Sequence, residues 1–169
     1  MEPDAYLKLA QQQLEKSGNR VSNVPLKDYT ALVGYQSQFK WSWFATKIHL
    51  FTVFIVIPEL KATLYNDAVS QALDYGLQMK GTLRGLQVGV AVTPIIVTQA
   101  VDTETQQIAE ARPSKHFAAI TTPAVIDITN NQLHTYTGKI VWGSAYTKWL
   151  RERMQAALPS IEPGALTKN

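Results

Sequence analysis

The chain predicts an α+β domain, a mixed β-sheet of about 5 to 7 strands with helices packed on it, in the order α-β-β-β-α-β-α-β-β-β-α. Three observations carry this. From Ile48 to Ile57 both alternating sets are apolar, with Ile48, Leu50, Phe54 and Val56 on one side and Phe51, Val53, Ile55 and Ile57 on the other. A strand covered on both faces has this pattern, whereas one wet face gives alternation. Leu64, Ala68, Ala72, Tyr75 and Met79 then recur at helical spacing, and Leu86 to Val97 is a second strongly apolar strand. Strand, helix and strand together form a βαβ crossover with the two apolar strands parallel.

Taken in order, Pro3 to Lys16 reads as a helix: proline suits the first turn, Tyr6, Leu7, Ala10 and Leu14 share a face, and Ser17-Gly18-Asn19 stops it. Asn19 to Lys27 reads as a connector containing Pro25. Asp28 to Gln36 and Phe39 to Thr46 both alternate, and with Ile48 to Ile57 they make a three-stranded meander. A helix follows Pro58, with Thr63 as its cap, Asp67 in its first turn and Gly81 as its stop. In the next strand Pro94 cannot donate to a ladder, so a bulge or an edge is expected beside it.

Asp102 opens a short helix that ends before Arg112-Pro113, and His116 to Ile120 is a short strand. Ala124 to Thr129 and Gln132 to Thr137 flank Asn130-Asn131, which suits a tight hairpin turn. Lys139 to Trp142 adds a strand, and Ser144 caps a last helix running to Leu158. The globular domain is expected over residues 1–158. Pro159 to Asn169 is rich in Pro, Gly and polar residues and reads as a flexible tail.

Composition removes several function classes. The 169 residues suit one domain and include no cysteine, which excludes disulfide frameworks, thiolate zinc sites and a cysteine nucleophile. The start MEPDAYLKLAQQQLEK is acidic and polar where a secretory leader is basic and then apolar, so a cytoplasmic protein is expected. A membrane helix needs about 20 apolar residues, and Lys47 and His49 interrupt the longest run. A net charge of +3 permits nucleic-acid binding without implying it.

The strand ending in Pro58-Glu59-Leu60-Lys61, followed by a helix carrying Gln71 and Tyr75, resembles part of the core of the PD-(D/E)xK nucleases. The order helix, three strands, helix, strand is also similar to that family. The resemblance implies a restriction-endonuclease-like topology. It also implies that Glu59 and a second carboxylate bind Mg2+ or Mn2+ to activate water, while Lys61 stabilises charge on the phosphate. Trp41 to Phe54 contains no Asp or Glu, which leaves Asp28 or Glu15 as the source of the second carboxylate. Without the resemblance, Glu59 and Lys61 are a solvated strand end, and the sequence favours that account.

Other chemistry is sparser. His49, His116 and His134 have no second histidine at metal-ligand spacing, so no metal site is expected from them. Arg84 sits among Gly81, Gly85 and Gly89 in a loop that is neither a P-loop nor a dinucleotide fingerprint, and with His116 it is a weak ligand-binding candidate. Lys148, Arg151 and Arg153 make the last helix basic, as the helix dipole favours. Trp41 and Trp43 share one side of their strand and form a contact patch if no helix covers them. The expected function is protein contact or self-association as a homo-oligomer, without catalysis and without a cofactor. A metal-dependent nuclease or phosphodiesterase is the alternative.

Overall fold

A computed structural model describes residues 1–40, 46–80, 88–114, 119–138 and 144–159. Helix α1 (Pro3–Lys16) has the boundaries its local signals dictate, with Pro3 in the first turn and Tyr6, Ala10 and Leu14 fully buried on one face. It stops where Gly18 takes φ 82°, and the Asn19 N–H reaches back to the Leu14 carbonyl at 3.0 Å. A Cβ at Gly18 has open space around it, so glycine is required there for the backbone angle alone.

Three antiparallel strands follow: β1 (Arg20–Pro25), β2 (Thr30–Lys40) and β3 (Thr46–Val56). The chain then forms the short β4 (Glu59–Leu60), the long α2 (Ala62–Lys80) and β5 (Val88–Thr98), which lies parallel to β3 with Phe51 opposite Val92. After β6 (Ala100–Val101) and α3 (Thr103–Glu110) come β7 (Ile120–Thr121), β8 (Ala124–Asp127), β9 (Gln132–Thr135) and α4 (Ser144–Ala157). The main sheet has seven strands in the order β1-β2-β3-β5-β8-β9, with β7 also on β5, while β4 and β6 pair separately. Apart from the added short pair β4 and β6, the element order is as expected, and so is the βαβ crossover.

Four local expectations are corrected. The connector over 19–27 contains edge strand β1, where Pro25 is tolerated because it closes the strand at the sheet's border. Polar Gln36-Ser37-Gln38 does not break the second strand; these residues pair with Leu50, His49 and Ile48, so β2 runs unbroken to Lys40. Of the strand expected over Phe39 to Thr46, Phe39 and Lys40 belong to β2 and Thr46 to β3, with Lys40 paired to Thr46, and residues 41–45 lie outside the described residues. Helix α2 begins ahead of Thr63, which lies inside the first turn, and Asp67 falls in the second.

Pro94 is accommodated without a bulge. Its strand keeps one register against β3, and β7 and β8 keep one offset against β5 but part at Thr122–Pro123, opposite Thr93–Pro94. The missing proline donor thus falls at the gap, where the Thr93 and Thr122 hydroxyls bond at 2.8 Å. The β8–β9 turn spans Ile128 to Asn131, with Asn131 at φ 57°, so it is longer than the expected two-residue turn. Trp41, Trp43, the strand expected over 139–142 and residues 160–169 of the tail lie outside the described residues.

Both faces of β3 are covered. On one, Val33, Phe51, Val53, Ile55, Val92 and Ile96 pack under Tyr65, Ala68, Ala72 and Leu73 of α2 and Ala109 of α3. On the other, Leu32, Phe54, Ile95 and Val97 meet Tyr6, Ala10 and Leu14 of α1 and Met154 and Ala157 of α4. At about 1.5 to 3 kcal/mol for each large apolar side chain buried, the eight apolar residues of β3 and Ile57 are the largest single contribution any strand makes. Among the described residues, no helix is long and apolar enough to cross a membrane.

Candidate functional site at the carboxyl ends of the parallel strands

β3, β5 and β8 run parallel, so Val56, Thr98 and Asp127 end at the same border of the sheet. In open α/β sheets, ligands bind in the crevice beyond such ends. The chain leaving β3 is pinned there. The Ile57 N–H donates to the Val97 carbonyl at 3.0 Å, and the Pro58 carbonyl accepts from the Gln99 and Ala100 N–H groups at 3.0 and 3.1 Å. Thr98 Oγ1 adds a third donor to Pro58 at 3.0 Å.

That anchoring lines Glu59 and Leu60 up beside Ala100 and Val101 in a parallel ladder. Leu60 turns into the core and is 2% exposed, so the two-residue period of a strand sends Glu59 and Lys61 out to solvent. Lys61 also begins α2, its carbonyl accepting the Tyr65 N–H at 2.9 Å. A cation is disfavoured at a helix N-terminus. One position beyond the Leu60–Val101 pair stands Asp102, which caps α3 by accepting the Thr105 N–H at 2.8 Å. The Asp102 carboxyl is held below its ordinary range, by Thr105 first and by the Lys61 ammonium as well.

Asp28 does approach this border, because it precedes β2 and Ala31 pairs with Ile55. Its partner is Gln71 on α2, not Glu59. Gln71 Nε2 donates to Asp28 at 2.7 Å and to Asp67 at 2.9 Å, while Gln71 Oε1 accepts the Asp28 N–H at 3.1 Å. Tyr29 adds a bond from its hydroxyl to Asp67 at 3.0 Å, and its ionisation is pushed up to about 12 by burial first and then by Asp67. One amide therefore draws two carboxylates together and ties the β1–β2 turn to the crossover helix. Tyr75 stands edge-on to Phe51 at 5.8 Å and belongs to the core.

The remaining acids have comparable duties. Asp127 is buried and accepts the Thr129 and Asn130 N–H groups, both at 2.9 Å, plus Asn130 Nδ2 at 2.8 Å, which fixes the β8–β9 turn. Glu15 is bonded to Gln11 along α1 at 2.8 Å. Among the described residues, no group of three or more His, Asp or Glu is placed to hold a metal ion. Arg84 and His116 lie outside the described residues.

Two clusters escaped sequence reasoning. His134 Nδ1 meets Glu110 at 2.8 Å, joining β9 to the end of α3. On β2 and β3, the Tyr35 hydroxyl meets His49 Nδ1 at 2.7 Å. Neither pair has a local signal, since sheet register brings Tyr35 to His49 and the packing of α3 beside β9 brings Glu110 to His134. Gln71 and Asp67 did have one, the i,i+4 spacing on a helix.

The fold and this border define a layered α+β domain whose sheet-end aspartates serve turns and caps. Comparison of the chain with models of known protein families, with curated proteins and with solved structures found no match.

Proposed function

We propose that this chain is a contact module that pairs with a second copy of itself along the free edge of its sheet, and that it is not a catalyst. One observation carries this: among the described residues β1 pairs only with β2, so its outer edge offers a row of backbone donors and acceptors. The edge carries one charge, on Arg20, and has no bulge against β2. Natural edges are usually blunted by charge, by proline, by a bulge or by a covering element, and here Arg20 and Pro25 stand only at the two ends of β1. Supporting it from the other side, Asp28, Asp67, Asp102 and Asp127 are each engaged in holding the fold.

Antiparallel pairing of β1 with its copy, centred on Ser22 or on Asn23 so that residues of like orientation face each other, adds about four to six ladder hydrogen bonds worth about 0.5 to 1.5 kcal/mol each. Association costs about 4 to 15 kcal/mol, so at most about 5 kcal/mol remains and the dimer is weak, with a dissociation constant of about 0.2 mM or above. Light scattering over a concentration series tests it. Mass should rise towards a dimer in the wild type and stay monomeric in Ser22→Lys/Asn23→Lys, in which a lysine at the centre of the seam meets its own copy. A wild type that stays monomeric at every concentration rules the pairing out.

A Mg2+- or Mn2+-dependent phosphodiesterase of the nuclease type is the second reading. It is favoured by the placement of Glu59 and Lys61 on one exposed side at the carboxyl ends of parallel strands, within a restriction-endonuclease-like order of elements. Cleavage of DNA with either metal that is lost in Glu59→Ala supports it. Equal behaviour of the two proteins removes it.

A further inference from the structure

The border opposite Glu59, where β2 ends and β3 and β5 begin, carries a second polar cluster. The register puts Arg20 beside Tyr35, and Ser37 beside His49. Tyr35, Ser37, Lys47 and His49 all alternate onto the face that carries Phe51 and Val53. The Arg20 guanidinium lies 5.5 Å from the centre of the Tyr35 ring. Tyr35 stacks on His49 at 5.9 Å and 20° and bonds to its Nδ1 at 2.7 Å.

Charge at this place is one-sided. Arg20 and Lys47 are exposed, and neither takes part in an ion pair with a carboxylate among the described residues. His49 is buried and is kept neutral, because burial first and the nearby Lys47 ammonium second push its pKa below the ordinary value. Two cations with two hydroxyls beside them, and no acid among them, are a complement to an oxyanion.

We propose that Arg20, Tyr35, Ser37 and Lys47 form a binding site for a phosphate group, with His49 as the proton partner that sets the Tyr35 hydroxyl. The Tyr35–His49 bond can run in either direction. When Tyr35 donates to Nδ1, its oxygen presents only lone pairs outward and repels an anion. When the other neutral tautomer donates from Nδ1 to the Tyr35 oxygen, the hydroxyl proton is released to donate to phosphate. Binding therefore selects the Nδ1-protonated tautomer of His49 without changing the net charge of the pair.

The test is a titration of the full chain with inorganic phosphate, and in parallel with thymidine 5′-monophosphate, near neutral pH. Backbone shifts report saturation, and the imidazole 15N shifts report the His49 tautomer. Saturable binding is expected, weakened by about tenfold in Arg20→Gln and in Lys47→Gln, as loss of one charge-assisted contact implies. Both residues are exposed, so these variants retain the fold. In the wild type, Nδ1 should change from acceptor to donor as phosphate binds. Tyr35→Phe should bind more weakly and lose that tautomer response. Tighter binding of the monophosphate marks an esterified ligand, and tighter binding of the free ion marks inorganic phosphate. Absence of saturation with either, binding unchanged in both charge variants, or an unmoved tautomer overturns the proposal.

Discussion

Replacing Gln71 by Leu removes the amide that Asp28 and Asp67 share, while keeping the volume of a side chain that is nine-tenths buried. Three hydrogen bonds disappear, two of them to carboxylates at 2.7 and 2.9 Å and one from the Asp28 N–H at 3.1 Å. Hydrogen bonds to charged groups contribute about 1.5 to 3 kcal/mol each and neutral ones about 0.5 to 1.5. The full sum overstates the loss, because the Asp28 side chain is 52% exposed and regains water when the amide goes. A net destabilisation of about 1 to 3 kcal/mol remains, or a fall in Tm of about 2 to 10 °C for a chain of this size. Urea unfolding followed by tryptophan fluorescence and by circular dichroism measures it. Gln71→Glu brings a third carboxylate to the same point and should destabilise more than Gln71→Leu at neutral pH. A loss under about 0.5 kcal/mol for Gln71→Leu, which is the range of ordinary surface changes, refutes the idea that this clamp fixes the turn to α2.

Three further outcomes are expected. Gly34 lies under α1, where an added Cβ falls 2.6 Å from Leu14 Cδ2, so Gly34→Ala should cost about 1 to 3 kcal/mol by overpacking. Adding Leu14→Ala should then cost less than in the wild-type background, as a double-mutant cycle in urea would measure. His49 has a folded pKa below its unfolded value near 6.5, so the unfolded chain binds the extra proton as pH falls below that value. Stability should decline on the acid side and stop declining once pH passes the folded pKa; His49→Gln should flatten that part of a pH series of unfolding midpoints. Asp102, whose folded pKa is depressed, stabilises above its unfolded pKa and loses that effect as pH falls through the folded one. Asp102→Ala should therefore lower the unfolding midpoint at neutral pH and be nearly silent in strong acid.

How much of the fold could be read from the chain follows the range of each signal. Helix α1 was legible to the residue because Pro3 and Ser17-Gly18-Asn19 are local instructions. β1 was not, since its apolar residues Val21 and Val24 are three apart and pack on opposite faces of the sheet, which leaves no period of two to detect. The polar run Gln36-Ser37-Gln38 looked like a break because only its pairing with β3 makes it strand. The start of α2 was misplaced at Thr63 for the same reason. The turn before it is pinned by Thr98, Gln99 and Ala100, which belong to the next strand and the connection after it.

The same distinction separates what could and could not be known of Glu59 and Lys61. That they share a side and face water follows from Leu60 between them, a matter of strand period. What they face is decided by β5, β6 and α3. Lys61 acts on Asp102 only as a minor charge, and the place of Asp102 is set by the helix it caps. Of the two carboxylates the sequence offered to join Glu59, Asp28 is the one that reaches this border, and it is bonded to Gln71. A metal site at this border therefore needs more than a divalent ion. It needs Asp28 to turn from the Gln71 amide, which holds its Oδ2 at 2.7 Å. If the nuclease reading holds, Gln71→Leu should raise affinity for Mn2+ while it lowers stability, and calorimetric titration of the folded variant separates the two. An unchanged or weaker affinity leaves Asp28 as a structural residue and the contact module as the standing account.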